Sequence, residues 1–504
     1  MRKQINLGGA KHVHFIGIGG ISMSGLAEIL LKDGFEISGS DQTDSPTTKH
    51  LHDIGIKIMI GCDPRNISAD TDLVVYTAAI KPDNLELAAA RSRGIPTMVR
   101  AELLGAILQG YEYAVCVAGT HGKTSTTAMI TEIALAAGLD PTVNIGGYIG
   151  GTNYYIGSSP YFVLEACEYS NSFHHWHPYI GVILNVDADH LDFFGNMEAI
   201  IEAFARFARN IRPEGMLVIG EGVPGFERIT AGLECQVITF GGECNGLNMD
   251  ESTAYDAGER NSPLRELPEG PTDTMPGHSG TDFAADTPSE TPRYWARDIN
   301  LSAAGRPSFD VMEGTDFMAR VTLPLPGRYN MYNALAAFAV ARRLGVSTQV
   351  IAGALSQTKG VKRRYEYKGT YNGAEIIDDY AHTPTEIKSC LAAARTGRPG
   401  RIICLFQPHT YTRTRDFFED FTHSFAEADI TAFVPIFAAR EPYDPTISSA
   451  MLCEGVASTG KATVNFDNLS EAETWLRGKL MPGDLLITMG AGDVYLAGER
   501  LLST

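Results

Sequence analysis

The chain has 504 residues, 44% of them apolar, with a formal charge of −19 and eight cysteines that form no Cys-x-x-Cys pair. The charge argues against sequence-independent binding to nucleic acid. The scattered cysteines fit reduced thiols of a cytoplasmic protein rather than a disulfide framework. No apolar run approaches the ~18 residues of a membrane span, and no apolar leader is expected.

At ~150 residues per domain the length suggests about three domains. Residues 12–20, HVHFIGIGG, read as a buried strand ending in glycines, and Ile21 to Lys32 as a helix. A second strand, Phe35 to Ser40, runs into Asp41. This is a βαβ start with Gly17, Gly19 and Gly20 in its turn and an acidic residue roughly 20 positions on, where one grips a ribose. Alone it suggests a nicotinamide dinucleotide. Leu73 to Thr77 and Thr97 to Val99 read as further strands around a helix from Asn84 to Arg93. Gly105 to Tyr111 reads as a linker and first hinge.

The second unit opens on Tyr113 to Ile130, YAVCVAGTHGKTSTTAMI. An apolar strand, Ala114 to Ala118, leads into Gly119-Thr120-His121-Gly122-Lys123-Thr124, and Ser125 begins a helix. Backbone N–H groups in such a turn, with the helix dipole behind them, cradle phosphates. Lys123 can reach the outer phosphates and the Thr124 hydroxyl can hold Mg²⁺. The turn is shorter than the strict P-loop, since Val117 stands where that pattern has a glycine. Pro160 to Glu165 and Tyr179 to Asn185 are strands followed by acidic and histidine residues, including Asp189 and His190. Oxygen-rich strand ends beside a phosphate cradle suit a hard cation. The run His174-His175-Trp176-His177 fits no zinc spacing.

Residues 243–293 are rich in Gly, Pro, Ser, Thr, Asp and Glu. Such a stretch buries too little surface to offset its ordering entropy, so it reads as a disordered acidic insertion. Strands resume at Ser308 to Met312 and Met318 to Leu323, then a turn and an alanine-rich helix within Leu325 to Gly345. Gly360 to Arg364 reads as a second hinge.

The third unit is again α/β. Strands Ala374 to Ile377, Arg401 to Phe406 and Leu485 to Met489 lead into polar loops. The loops after the first two carry Tyr380, His382, His409, Arg413 and Arg415. Loops at the carboxyl ends of parallel strands are where open α/β sheets bind ligands, and these gather an anion-binding set.

Six stretches together, HVHFIGIGGISMSGLA, AGTHGKTSTTAM, NVDADHLDFF, PLPGRYNMYNALAA, DDYAHTPTE and FQPHTYTRTRDFFEDF, resemble the Mur ligase family in its own order across all three units. The resemblance implies an α/β chain of three domains. These are a Rossmann-like UDP-binding domain (1–108), a P-loop-type central ATPase domain (109–360) and a C-terminal Rossmann-like domain (361–504). It implies ATP-dependent joining of L-alanine to the lactoyl carboxylate of UDP-N-acetylmuramate, in peptidoglycan synthesis. Partners are then UDP-N-acetylmuramate, L-alanine and ATP with Mg²⁺ or Mn²⁺, and neither nucleic acid nor membrane, in a monomer or homodimer. A ligase that recycles UDP-N-acetylmuramate peptides is the alternative within the superfamily. A nicotinamide oxidoreductase leaves the phosphate cradle unexplained.

By motif, the resemblance assigns Gly119, Thr120, His121, Gly122, Lys123, Thr124 and Ser125 to the ATP phosphates. It puts Asn330 and Asn333 at the adenine, and Arg364 and Asp379 on ATP from the third domain. Thr124, Glu165 and His190 are the implied metal ligands. Gly17, Gly19, Gly20, Ser40 and Asp41 are the implied UDP residues, and Tyr380, His382, His409 and Arg413 the alanine side. Lys123, His190, His382 and Arg413 carry the implied catalysis. Three positions depart from the family pattern: Tyr329 replaces a histidine, Thr383 a second histidine, and Cys167 an acidic residue between Glu165 and Glu168. No lysine occurs from Met197 to Arg212, so no carbamylated lysine is expected.

Overall fold

Three separate sheets carry the α/β alternation read from the sequence. The computed structural model describes residues 3–77, 79–149, 152–242, 292–398, 400–439 and 441–503. Most of the proposed acidic insertion, 243–291, lies outside the described residues. Its expected end at Arg293 is corrected, because Arg293 opens a strand paired to its neighbour at Thr239.

The first sheet is β1 (His12–Ile16), β2 (Glu36–Asp41), β3 (Lys57–Ile60), β4 (Leu73–Tyr76) and β5 (Thr97–Val99). All pairs are parallel, in the order β3-β2-β1-β4-β5. Strand order reverses beside β1, so Gly17 to Gly20 emerge where such sheets open a ligand crevice. The Ile21–Lys32 helix follows, with Gly20 as its N-cap.

The central sheet holds β6 (Tyr113–Ala118), β7 (Thr142–Ile149), β8 (Thr152–Tyr155), β9 (Tyr161–Glu165), β10 (Ile180–Ile183), β11 (Met216–Gly220), β12 (Gln236–Gly241), β13 (Arg293–Leu301), β14 (Pro307–Glu313) and β15 (Asp316–Thr322). The order is β15-β14-β13-β12-β11-β10-β6-β9-β7-β8. β6 is central, buried from Ala114 to Ala118, which explains its unbroken apolar run. The Lys123–Ala136 helix packs on the alanine-rich Arg328–Arg343 helix. The small side chains of Ala334, Ala336, Ala337, Ala339 and Ala341 are buried there.

The third sheet is β16 (Glu366–Tyr371), β17 (Ala374–Asp379), β18 (Ile402–Phe406), β19 (Ile430–Phe433), β20 (Ala462–Asn465) and β21 (Leu485–Met489). Its order is β16-β17-β21-β18-β19-β20, with only the edge strand β16 antiparallel.

The junction of the first two sheets is not a linker. Gly105 lies inside a helix, Arg100–Leu108, whose Leu103, Leu104, Ile107 and Leu108 are buried. One apolar cluster runs from Val13 and Phe15 of the first sheet through these leucines to Phe162, Phe204 and Leu217 of the central domain. A Cβ on Gly105 would overlap the His175 carbonyl oxygen, and the Trp176 indole donates to the Ala101 carbonyl at 3.0 Å. The glycine that suggests a flexible joint is there because two backbones touch. The third domain differs: its two buried clusters contain only its own residues.

Candidate active site

The phosphate cradle is built at the carboxyl end of β6. Gly119 and Gly122 have φ of 140° and 81°, conformations that favour glycine. A Cβ on Gly122 would also run into Asn333 Oδ1. Asn333 therefore lies against the turn, and its amide donates to Asn330 Oδ1 at 3.3 Å, while Asn330 donates to the Pro326 carbonyl at 2.7 Å. Both asparagines are buried. The structure thus brings the two residues assigned to adenine beside the cradle.

The Lys123 ammonium donates to the carbonyls of Gly119 (2.6 Å) and Thr120 (2.9 Å). It pairs with Glu168, 3.0 Å away. Burial disfavours its charge, but the carboxylates of Glu168 and Glu165 outweigh that and raise its pKa. The Thr124 hydroxyl donates to Glu165 Oε1 at 3.1 Å, so two of the three expected metal ligands touch. The other Glu165 oxygen accepts from the Gly146 amide. His190 lies in the loop after β10, with φ of 52°, its ring against Tyr169. A non-glycine residue held in the left-handed region is uncommon and concentrates at functional loops. Thr410, at φ 66°, is a second such residue on the opposite wall. A hydroxyl, a carboxylate and an imidazole form a donor set that fits a hard divalent cation completed by phosphate oxygens.

The third domain closes on this cradle through polar contacts. His121 lies between Asp187 (3.1 Å) and Glu386 (3.4 Å). Burial opposes its charge, yet the two carboxylates together push its pKa up to about 9. The Thr385 hydroxyl donates to Asp187 at 2.9 Å. Arg413 Nη2 lies 2.9 Å from Asp189 Oδ1, and its Nη1 bonds His409 Nδ1 at 3.1 Å. The His382 ring stacks edge-on to both His409 and Tyr380. Burial, with the Arg413 charge, lowers the pKa of both imidazoles; His382 adds to the effect on His409, which falls to about 4. Neutral rings beside a fixed guanidinium can accept a proton, or donate one hydrogen bond, without adding charge.

Arg364 faces Glu386 at 3.8 Å and lies over the Tyr380 ring. Asp379 accepts from the Tyr365 and Ala381 amides, at 2.7 and 2.8 Å, and burial pushes its pKa up to about 6. In the first domain, Asp41 accepts from the Gly19 amide at 2.9 Å and Ser40 donates to Glu86 at 2.7 Å. The Gly17–Gly20 turn, Ser40 and Asp41 thus form one group, at the carboxyl ends of β1 and β2. This domain also meets the central one through Tyr154, whose hydroxyl bonds Glu28.

Sequence reading gave no role to Glu386, Asp187, Glu168 or Glu86. Glu386 was accessible, because Thr383-Pro-Thr-Glu386 is a capping box, but not its reach to His121. Among the described residues the His174–His177 run forms no metal cluster. His174 and His177 instead bond the carbonyls of Ala203 and Asn210.

Three family models match: the Mur ligase family catalytic domain over residues 12–112, the Mur ligase middle domain over 117–270 and the Mur ligase glutamate ligase domain over 363–492. The chain is 43% identical to a UDP-N-acetylmuramate–L-alanine ligase of Lachnospira eligens, over 97% of this chain and 98% of that one. It is 42% identical to the protein of the same name from Clostridium novyi, over 98% and 97%. Among solved structures it resembles UDP-N-acetylmuramate-alanine ligase MurC from Thermotoga maritima, with a TM-score of 0.71 at 25% identity over 98% of both chains. A murein peptide ligase from Psychrobacter arcticus shares the fold, with a TM-score of 0.62 at 23% identity over 98% of both chains. With its glycine crevice, phosphate cradle and third-domain histidines in their order, the chain belongs to the Mur ligase family.

Proposed function

We propose that this protein joins L-alanine to the lactoyl carboxylate of UDP-N-acetylmuramate with ATP, releasing ADP and phosphate, as a cytoplasmic step of peptidoglycan precursor synthesis. The observation that carries this reading is end-to-end identity above 40% to two ligases of that name. The site supports it with a cradle facing Arg413, His382 and His409 across the domain boundary.

A carboxylate resists attack by an amine because its leaving group would be oxide. Transfer of the γ-phosphoryl group to a carboxylate oxygen makes an acyl phosphate and releases ADP. The alanine amine then attacks the acyl carbon, the C–O bond to phosphate breaks, and the amine gives up a proton. Catalysis of this kind is positioning plus charge neutralisation. Lys123 and the amides of Gly119 to Ser125 hold the β- and γ-phosphates, and Asn330 and Asn333 lie toward the base. Arg364 and Asp379 meet ATP from the third domain. Thr124, Glu165 and His190 would hold Mg²⁺, which would neutralise phosphate charge. Arg413 faces the acyl phosphate, with Tyr380, His382 and His409 on the alanine side. Gly17, Gly19, Gly20, Ser40 and Asp41 hold the UDP moiety.

The test is phosphate release from ATP with UDP-N-acetylmuramate and each amino acid in turn. L-Alanine is expected to support turnover. Turnover with a tripeptide and not with L-alanine would replace this reading by the peptide-recycling one.

A further inference from the structure

At the amino ends of the first sheet's strands, opposite the glycine crevice, three ligand-type side chains converge. His12 starts β1 and Glu36 starts β2; they are direct cross-strand partners, so their side chains share a face. Asp70 comes from the loop before β4, and Asp70 Oδ2 lies 3.4 Å from His12 Nδ1. One nitrogen and two carboxylate oxygens, one from each residue, lie within 4.8 Å of one another. Glu36 and Asp70 are exposed, but His12 is only 6% exposed. Its Nδ1 is buried and makes no hydrogen bond, and its charged neighbour is Asp70 Oδ2 at 3.4 Å.

The rest of the His12 ring is fixed from behind. Ser38 Oγ lies 2.9 Å from His12 Nε2 and 2.9 Å from His14 Nδ1. A hydroxyl has one proton and two lone pairs, so at least one of the two rings must donate to Ser38. If His12 Nε2–H donates and Ser38 donates on to His14, the lone pair of His12 is on Nδ1, beside Asp70. A buried imidazole oriented by a hydrogen bond through its far nitrogen is the supporting arrangement of a metal-bound histidine. The backbone is held as well: Asp72 accepts from the Lys11 and His12 amides at 2.8 and 2.9 Å.

We propose that His12 Nδ1, Glu36 and Asp70 form a binding site for a divalent transition-metal ion of the Zn²⁺ type. An imidazole nitrogen with two carboxylate oxygens is a ligand set that Zn²⁺ takes. Water completes the coordination on the exposed side. The site ties together the starts of β1 and β2 and the approach to β4. Its role is structural, since His12 and the end of β1 are four residues, about 13 Å, apart.

The test is calorimetric titration of the metal-free full chain with ZnCl₂, with excess Mg²⁺ present to fill hard-cation sites. One Zn²⁺ per chain is expected to depend on all three ligands. Glu36→Gln and Asp70→Asn, both on exposed side chains and expected to fold, should each weaken binding at least about tenfold. Ser38→Ala should weaken it about tenfold through the orientation of His12. Zn²⁺ should raise the unfolding temperature of the unsubstituted chain and not that of Asp70→Asn. Unchanged Zn²⁺ affinity in both carboxylate variants, or no Zn²⁺ binding by the unsubstituted chain, would overturn the site.

Discussion

Arg413, on the third domain, and Asp189, in the loop after β10 of the central domain, form an ion pair at 2.9 Å with both side chains about nine-tenths buried. The Arg413 guanidinium, which also donates to it, outweighs burial and holds the Asp189 carboxyl well below the usual range. The pair is expected to couple the two domains. In a double-mutant cycle of Asp189→Ala and Arg413→Ala, read by denaturant unfolding, a coupling of about 1–3 kcal/mol is expected. Additive effects within about 0.5 kcal/mol would mean that the two side chains act separately.

Lys123→Ala is expected to lower kcat at least ~100-fold, as loss of a comparable electrostatic donor does. Glu168→Gln, which frees the ammonium from its ion pair, should cost much less. Steady-state phosphate release, with circular dichroism to verify folding, checks both. Near-normal turnover in Lys123→Ala would remove the cradle lysine from the mechanism.

The His121 latch makes a pH prediction. Its folded pKa, about 9, lies above the ordinary ~6.5. The stabilisation is therefore complete below about pH 6.5 and is lost as pH rises through about 9. The upper bound is about 3 kcal/mol at 1.36 kcal/mol per unit, reduced by solvent screening because Asp187 is 41% exposed. Unfolding temperatures of the ligand-free chain between pH 6.5 and 9.5 should fall more steeply than those of His121→Gln. Parallel curves would show that the histidine is neutral throughout.

Gly105→Ala is expected to destabilise the chain by about 1–3 kcal/mol, because the new methyl overlaps the His175 carbonyl. Gly353→Ala is the control. It sits in the Thr348–Ser356 helix with open space around it, and alanine there should stabilise by about 0.5–1 kcal/mol. Equal effects from the two substitutions would contradict the packed junction.

Much of this fold was legible because local signals agreed. The helix Ile21–Lys32 and the strands Thr97–Val99 and Leu485–Met489 lie where hydrophobic runs and glycine boundaries put them. Gly105 misled, because a glycine allowing close backbone approach and a glycine in a flexible joint look alike in sequence. β13, from Arg293, was hidden by the polar stretch before it. At the site, residue types and spacing pointed to Lys123, Glu165 and Arg413. That Glu386 meets His121 and that Asp189 meets Arg413 depends on how the third domain sits on the central one. No periodicity encodes that.

The two domain seams differ in kind. The first and central domains are joined by one apolar cluster, which water cannot replace contact for contact. The third is held to the cradle by His121, Arg413 and Thr385 on carboxylates, partners that substrate phosphates and counter-ions can exchange. Denaturation should therefore divide the molecule unequally. The first two domains form one cooperative block, while the third comes away early and sooner as salt is raised. In catalysis the same inequality predicts the motion: the third domain is expected to act as the shutter, and the other two as its fixed frame.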